Sequence, residues 1–155
     1  IYVPGMEPGV YDGLTSVVDV MPTVLEVLGE SVPESVQGSS LVPKMRDHSV
    51  PGRDFVISTI PFANPGQEVR HVDDLSRMLR ASPVTTVTTG DRSLLYSMDP
   101  GFSELFDLKS DTRQQNNVIV SNTEVAKELH QLLVKFMRDT NLPSHLLDAR
   151  LELKI

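Results

Sequence analysis

Apolar and polar positions along this chain fall into three patterns. The first is "SVVDVMPTVLEVLG", residues 16–29, an apolar run with an aspartate and a proline inside it. With Asp19 as the N-cap of a helix, its carboxylate accepts from N–H groups of the first turn, which have no helical partner. Pro22 then falls at the third helical position, where a missing N–H costs nothing. A start at Ser16 would put Pro22 well inside the helix, where proline removes a donor and clashes with the preceding turn. We therefore read the helix from Asp19, with Val20, Val24, Val27 and Leu28 as its apolar stripe and Gly29 as its stop.

The second pattern is β-rich. "DFVISTIPF", residues 54–62, predicts a strand ended by Pro61. "VTTVTTGDRSLLY", residues 84–96, holds two such runs around Gly90-Asp91, the signature of a tight hairpin. "MDPG" (98–101) makes a further turn, and "SELFDL" (103–108) alternates as another strand. Hairpin-joined strands give an antiparallel sheet, which usually keeps one face for solvent and needs a cover on the other.

The cover comes from the third pattern, "SNTEVAKELHQLLVKFMRDT", residues 121–140. Val125, Leu129, Leu132, Leu133, Phe136 and Met137 recur at helical spacing, predicting a helix over 122–139. Ser121 and Glu124 suit a capping box, and Lys135 and Arg138 lie in the last turn, where the helix dipole favours cations. Burying the six apolar side chains contributes roughly 1.5–3 kcal/mol each before entropy is subtracted. Elsewhere, residues 30–53 read as a Pro/Gly/Ser-rich loop in which "SLVPKM" lies over something apolar. "ANPGQEVR" reads as a turn and "DDLSRMLRA" as a short helix begun at Asp73 or Asp74. "HLLDAR" suits a helical turn, and "LELKI" alternates like a strand.

Composition narrows the class. A chain of 155 residues suffices for one ordinary domain. A net charge of -7 without a basic cluster argues against a nucleic-acid surface. With no cysteine, disulfides, thiolate metal sites and thiol catalysis are excluded from this stretch, although no compartment is thereby identified. No apolar run reaches the roughly 18 residues of a membrane span. The opening "IYVPG" reads as the tail of a strand entering a turn, so the chain is expected to be a piece of a longer protein.

Candidate chemistry is sparse. His48, His71, His130 and His145 show no ligand spacing, and His130 is placed on the polar part of the long helix. Each is read as a surface or loop residue. His71, in "RHVDD", alone lies beside carboxylates and is kept as a possible substrate-rim residue. There is no Gly-rich phosphate loop, no H-E-x-x-H, no nucleophile elbow, and no serine with a histidine placed to activate it.

Two blocks carry a resemblance. Pro4-Gly5 is followed by Ser16, Asp19, Pro22, Thr23 and Gly29, in the order S-x-x-D-x-x-P-T, apolar helix and glycine, and then by Gly38, Ser40 and Leu41 as G-x-S-L. Farther on, "ELFDLKSDTRQQNN" presents Glu104, Leu105, Phe106, Asp107, Leu108, Asp111 and Asn117. The order resembles the sulfatase family of the alkaline-phosphatase-like superfamily, whose second block reads E-L-Y-D-L-x-x-D-P-x-E-x-x-N. Thr112 and Gln114 replace the usual Pro and Glu, which loosens a turn without touching chemistry.

The resemblance implies an α/β or α+β fold. Residues 1–45 would be the final strand-helix unit of the α/β core, 46–53 a linker, and 54–155 a small C-terminal subdomain of antiparallel sheet covered by the amphipathic helix. It further implies that the formylglycine nucleophile, made from C/S-x-P-x-R, lies N-terminal to this segment. So do the calcium or other divalent cation, its Asp and Asn ligands, and the Lys and His that neutralise the ester. "SVPGR", Ser49 to Arg53, fits S-x-P-x-R formally, but it follows the D-x-x-P-T helix in a Pro/Gly loop and is read as a loop whose Arg53 leads into the next strand.

No catalytic or metal residue is therefore assigned here, and Ser16, Asp19, Pro22, Thr23, Gly29, Asp107, Asp111 and Asn117 are assigned to structure. The expected partner is the N-terminal catalytic part of the same protein, with self-association through the helix at 19–28 as another way to cover its face. Three functions are weighed: an inactive part of a sulfatase-type hydrolase, a non-enzymatic interaction or structural module on the same scaffold, and part of a phosphate or phosphonate ester hydrolase.

Overall fold

The structure, a computed structural model, describes residues 1–59 and 84–155. His71, the turn at 63–70 and the helix expected from Asp73 or Asp74 lie outside the described residues. The chain divides into two compact units, Ile1–Val56 and Ile57–Ile155.

In the first unit, a 3-10 turn over Val17–Asp19 runs directly into helix α1, Val20–Leu28. The α-helix thus starts after Asp19 and stops at Gly29, where the sequence reading places it, and the 3-10 turn that precedes it is the unexpected addition. Asp19 precedes α1 but makes no side-chain bond to its first-turn N–H groups. Its carboxylate turns back instead, to the Ser16 N–H at 2.9 Å. Pro22 still falls in the first turn of α1, because the tighter 3-10 turn absorbs the residues before Asp19.

Gly29 ends α1 in the left-handed region at φ 75°, where a residue without Cβ is unstrained. Its N–H donates to the Glu26 carbonyl, and the Glu30 N–H donates to Leu25, a pair of bonds that closes the helix as a Schellman turn. Helix α2, Val42–Arg46, is a short piece begun by the Ser40 hydroxyl accepting from the Val42 N–H. It buries Val42, the apolar contact expected of "SLVPKM". Farther along, the Tyr11 hydroxyl donates to the Val50 carbonyl at 3.0 Å.

The apolar stripe of α1 faces outward. Val20, Met21, Val24, Val27 and Leu28 are exposed, Leu28 at 68%, whereas Pro22 and Thr23 are buried. Residues 1–16 contain no strand, and Pro4-Gly5 makes a turn in which the Met6 N–H donates to the Val3 carbonyl.

The second unit is built on a four-stranded sheet of order β1-β2-β3-β4, with β1 at Val56–Thr59, β2 at Thr85–Thr88, β3 at Arg92–Tyr96 and β4 at Glu104–Asp107. β2 and β3 form the expected hairpin, antiparallel with Thr85 opposite Tyr96 and Thr88 opposite Ser93. β4 follows antiparallel, Leu94 opposite Leu105. Val87, Leu94 and Leu105 therefore line up across three strands, and all are fully buried. The other face is not left to solvent: Ser93 and Phe106, opposite each other, are also buried. The alternation expected for "SELFDL" fails for that reason.

Helix α3, Thr123–Asp139, covers the Val87–Leu94 face. Its buried residues are Ala126, Leu129, His130, Leu133, Val134 and Met137. Leu129, Leu133 and Met137 were expected; Phe136 is 37% exposed, and Val125 and Leu132 are half-buried. The buried line is rotated from the most apolar line, taking in Ala126, His130 and Val134 while Phe136 stays exposed. The capping box is absent: Asn122 is the N-cap, the Ser121 hydroxyl donates to the Val118 carbonyl, and Glu124 pairs with Lys127. Helix α4, Ser144–Asp148, is the helical turn of "HLLDAR", while residues 151–155 form no strand.

Candidate functional site

The motif residues of the first block converge on one carboxylate. Asp19 is 2% exposed, and burying a charge is costly unless it is paired and hydrogen-bonded. Arg53 provides the pairing: its guanidinium clasps both carboxylate oxygens, Nε reaching Oδ2 at 3.1 Å and the terminal nitrogen reaching Oδ1. Such a two-pronged contact is the strongest way for Arg to hold a carboxylate. Backbone N–H groups complete the set, Ser16 on Oδ2 at 2.9 Å and Ser39 on Oδ1 at 2.8 Å. Burial pushes the Asp19 pKa up, but these hydrogen bonds, led by Arg53, together with the Arg53 charge outweigh it and lower the pKa from 3.8 to about 2.

Thr23 makes a second fastening. Its hydroxyl donates to the Asp19 carbonyl at 2.5 Å and accepts from the Leu41 N–H at 2.8 Å. Pro22, lacking an N–H, cannot close an α-helical bond to the Val18 carbonyl. Gly38 approaches that same carbonyl so closely that a Cβ there would lie 1.9 Å from its oxygen. S-x-x-D-x-x-P-T and G-x-S-L are thus two halves of one lock: the helix offers Asp19 and Thr23, the loop offers N–H groups of Ser39 and Leu41, and Gly38 permits the approach.

The second block is a chain of backbone caps. Asp107 Oδ1 accepts from the Lys109 N–H at 3.0 Å and lies 2.9 Å from an Arg92 nitrogen. Burial raises its pKa, but these N–H bonds and the nearby cations leave it below the usual carboxylate range. Asp111 Oδ2 accepts from the N–H groups of Gln115 and Asn116, both at 2.7 Å. Asn117 Oδ1 takes the N–H groups of Leu105 at 3.1 Å and Ile119 at 3.0 Å, tying β4 to the segment that leads into α3. Gln114, which stands where the family pattern has Glu, adopts φ 53°.

The remaining candidates divide. Ser49 is exposed and its hydroxyl donates to Asp47 Oδ1 at 2.6 Å, a local turn that also draws the Asp47 pKa down. Arg53, in the same S-x-P-x-R string, is the residue that sequence reasoning undervalued; an aspartate inside an apolar run demands a cation, and that was the available signal. His130 was placed on a polar face and is instead buried, with its Nε2 2.9 Å from the Arg150 carbonyl and its ring 5.0 Å from that of Tyr96. Burial lowers its pKa, partly offset by that bond.

A divalent cation does not fit the carboxylates described. Asp19 is filled by a guanidinium and two N–H groups, and Asp107 and Asp111 are occupied by backbone donors. Among the described residues no group of three His, Asp or Glu side chains could hold a metal ion. The first unit does contain an open cleft of about 810 Å³ whose lining includes Tyr2, Glu7, Val17, Val20, Lys44 and His48.

No family model matches the chain. Among curated proteins, the chain is 28% identical over 158 residues to the uncharacterized sulfatase YdeN of Escherichia coli (strain K12), covering 89% of this chain and 28% of that one. It is 29% identical over 135 residues to an arylsulfatase of Clostridium perfringens, covering 84% of this chain and 24% of that one. Among solved structures, a Bacteroides thetaiotaomicron protein from a locus for metabolism of multiple glycosaminoglycans superposes with TM-score 0.67 at 27% identity, covering 92% of this chain and 30% of that one. The chain is sulfatase-like in sequence and fold. A phosphonate monoester hydrolase from Silicibacter pomeroyi shares the fold, with TM-score 0.60 at 23% identity, over 88% of this chain and 27% of that one. This sulfatase-like segment spans about a quarter of the length of the curated relatives it matches.

Proposed function

We propose that the chain is the C-terminal scaffold portion of a sulfatase-type hydrolase whose full-length form cleaves sulfuric esters, with the nucleophile and the divalent cation held by the remainder of the protein. The observation that carries this reading is the commitment of Asp19, Thr23, Asp107, Asp111 and Asn117 to hydrogen bonds that fasten backbone segments. A carboxylate held by Arg53 and two N–H groups is neither a base nor a metal ligand. Residues 1–45 would belong to the α/β core, 46–53 to the connection, and 54–155 to the C-terminal subdomain.

The exposed stripe Val20, Met21, Val24, Val27 and Leu28 supports a partner on that face. We assign it to the catalytic remainder of the same protein, because the relatives have roughly three-quarters of their length outside the matched region. Self-association through the stripe is the competing outcome, and chromatographic sizing of the full-length protein separates the two: a monomer fits internal docking. His71 is proposed at the substrate rim, where His71→Ala would lower turnover of the full-length enzyme without lowering its Tm.

The fold shared with a phosphonate monoester hydrolase favours a second reading, hydrolysis of phosphate or phosphonate esters. Assaying the full-length protein on aryl sulfate, aryl phosphate and aryl phosphonate esters decides between them. Preference for the sulfate ester is expected; preference for a phosphorus ester would replace the first reading with the second, and no turnover of any would favour a non-enzymatic module.

A further inference from the structure

His130 is a buried imidazole with a neighbour on each side. From α3 it packs its ring against Tyr96 of β3, and its Nε2–H donates to the Arg150 carbonyl, twenty residues along the chain. Arg150 in turn donates from its guanidinium to the Leu146 carbonyl of α4 at 2.8 Å. The segment carrying Arg150 is lightly anchored: α4 has no buried residue, and Leu151 and Ile155 are exposed. α3, by contrast, buries six.

We propose that residues 141–155 form a proton-sensitive clasp over Tyr96 and His130, closed when the imidazole is neutral and opened when it takes up a proton. A second proton on the ring, at Nδ1, creates a cation in a site closed to water, and hydrating that cation requires one of its covers to lift. The weakly anchored segment lifts at lower cost than the sheet.

Burial, rather than a neighbouring charge, sets the direction for His130. β2 brings no titratable side chain, and on β3 Tyr96 faces the ring while Arg92 is engaged with Asp107. The C-terminal segment brings Arg150, with His145 and Asp148 on α4, and on α3 itself Lys127 is paired with Glu124. Burial lowers the His130 pKa below 6.5, so the closed form binds fewer protons than the open one over that interval. The opening equilibrium therefore rises as pH falls, by up to about tenfold per pH unit.

The test is hydrogen exchange of the full-length protein, read by mass spectrometry at pH 7.5 and 5.0 after correction for intrinsic rates. The expected result is faster exchange in peptides over 141–155 at pH 5.0, with peptides over 126–137 unchanged. His130→Gln, which keeps an N–H donor but does not titrate, should abolish the pH effect. Exchange of the His130 ring carbon hydrogen provides its pKa in the wild-type protein, and its midpoint should coincide with that of clasp opening. Equal exchange at both pH values, equal acceleration across 126–137, persistence of the effect in the Gln variant, or non-coincident midpoints would each overturn the proposal.

Discussion

At the scale of single residues, Asp19 and Arg53 carry the clearest consequences. Arg53→Met leaves a buried carboxylate unpaired. Because Arg53 itself is 31% exposed, the loss should fall between that of a surface and a buried pair, about 2 kcal/mol, read as a lower denaturation midpoint. The pH dependence has a definite sign. The folded pKa of Asp19, about 2, lies below its unfolded value of 3.8, so its contribution is complete above pH 3.8 and disappears as pH falls through about 2. The contribution is on the order of 2 kcal/mol. Asp19→Asn should flatten acid unfolding in that window while lowering stability at neutral pH. Gly38→Ala forces a methyl group onto the Val18 carbonyl and should cost about 1–3 kcal/mol in urea titration.

At the scale of elements, helix α3 separates apolar composition from contact. Ala126 is fully buried and Phe136 is 37% exposed, although Phe is much the larger apolar residue. Ala126→Leu should therefore destabilise by about 1–3 kcal/mol through overpacking, whereas Phe136→Ala should cost less than about 1 kcal/mol; thermal melts of the two variants give the ranking. The hairpin around Gly90-Asp91, the helical stop at Gly29 and the long helix were legible because local turn chemistry and periodicity decide them. The rotation of α3 was not, since its contact line depends on which residues lie nearest the sheet rather than on their own hydropathy. His130 was misread for the same reason. Asp19 stands at the N-cap position that the sequence predicts, but its carboxylate does not cap the helix, because its decisive partners, Ser39 and Arg53, lie 20 and 34 residues away. Period-2 patterning likewise missed the burial of Phe106, which reflects cover on the second face of the sheet.

At the scale of the molecule, the apolar and polar accounts agree. Among the described residues, the motif side chains that might have suggested chemistry are spent on joining loops to helices or strands, and the large apolar stripe on α1 has no cover within its own unit. Under the proposed function such a segment braces a site held by the rest of the protein, and the family resemblance carried by its motifs concerns architecture. The most direct test is sulfate release from an aryl sulfate by the purified 155-residue chain beside the full-length protein, at equal molar concentration and with calcium present. The account predicts turnover by the full-length protein and none by the 155-residue chain; metal-dependent sulfate release by the shorter chain would contradict it.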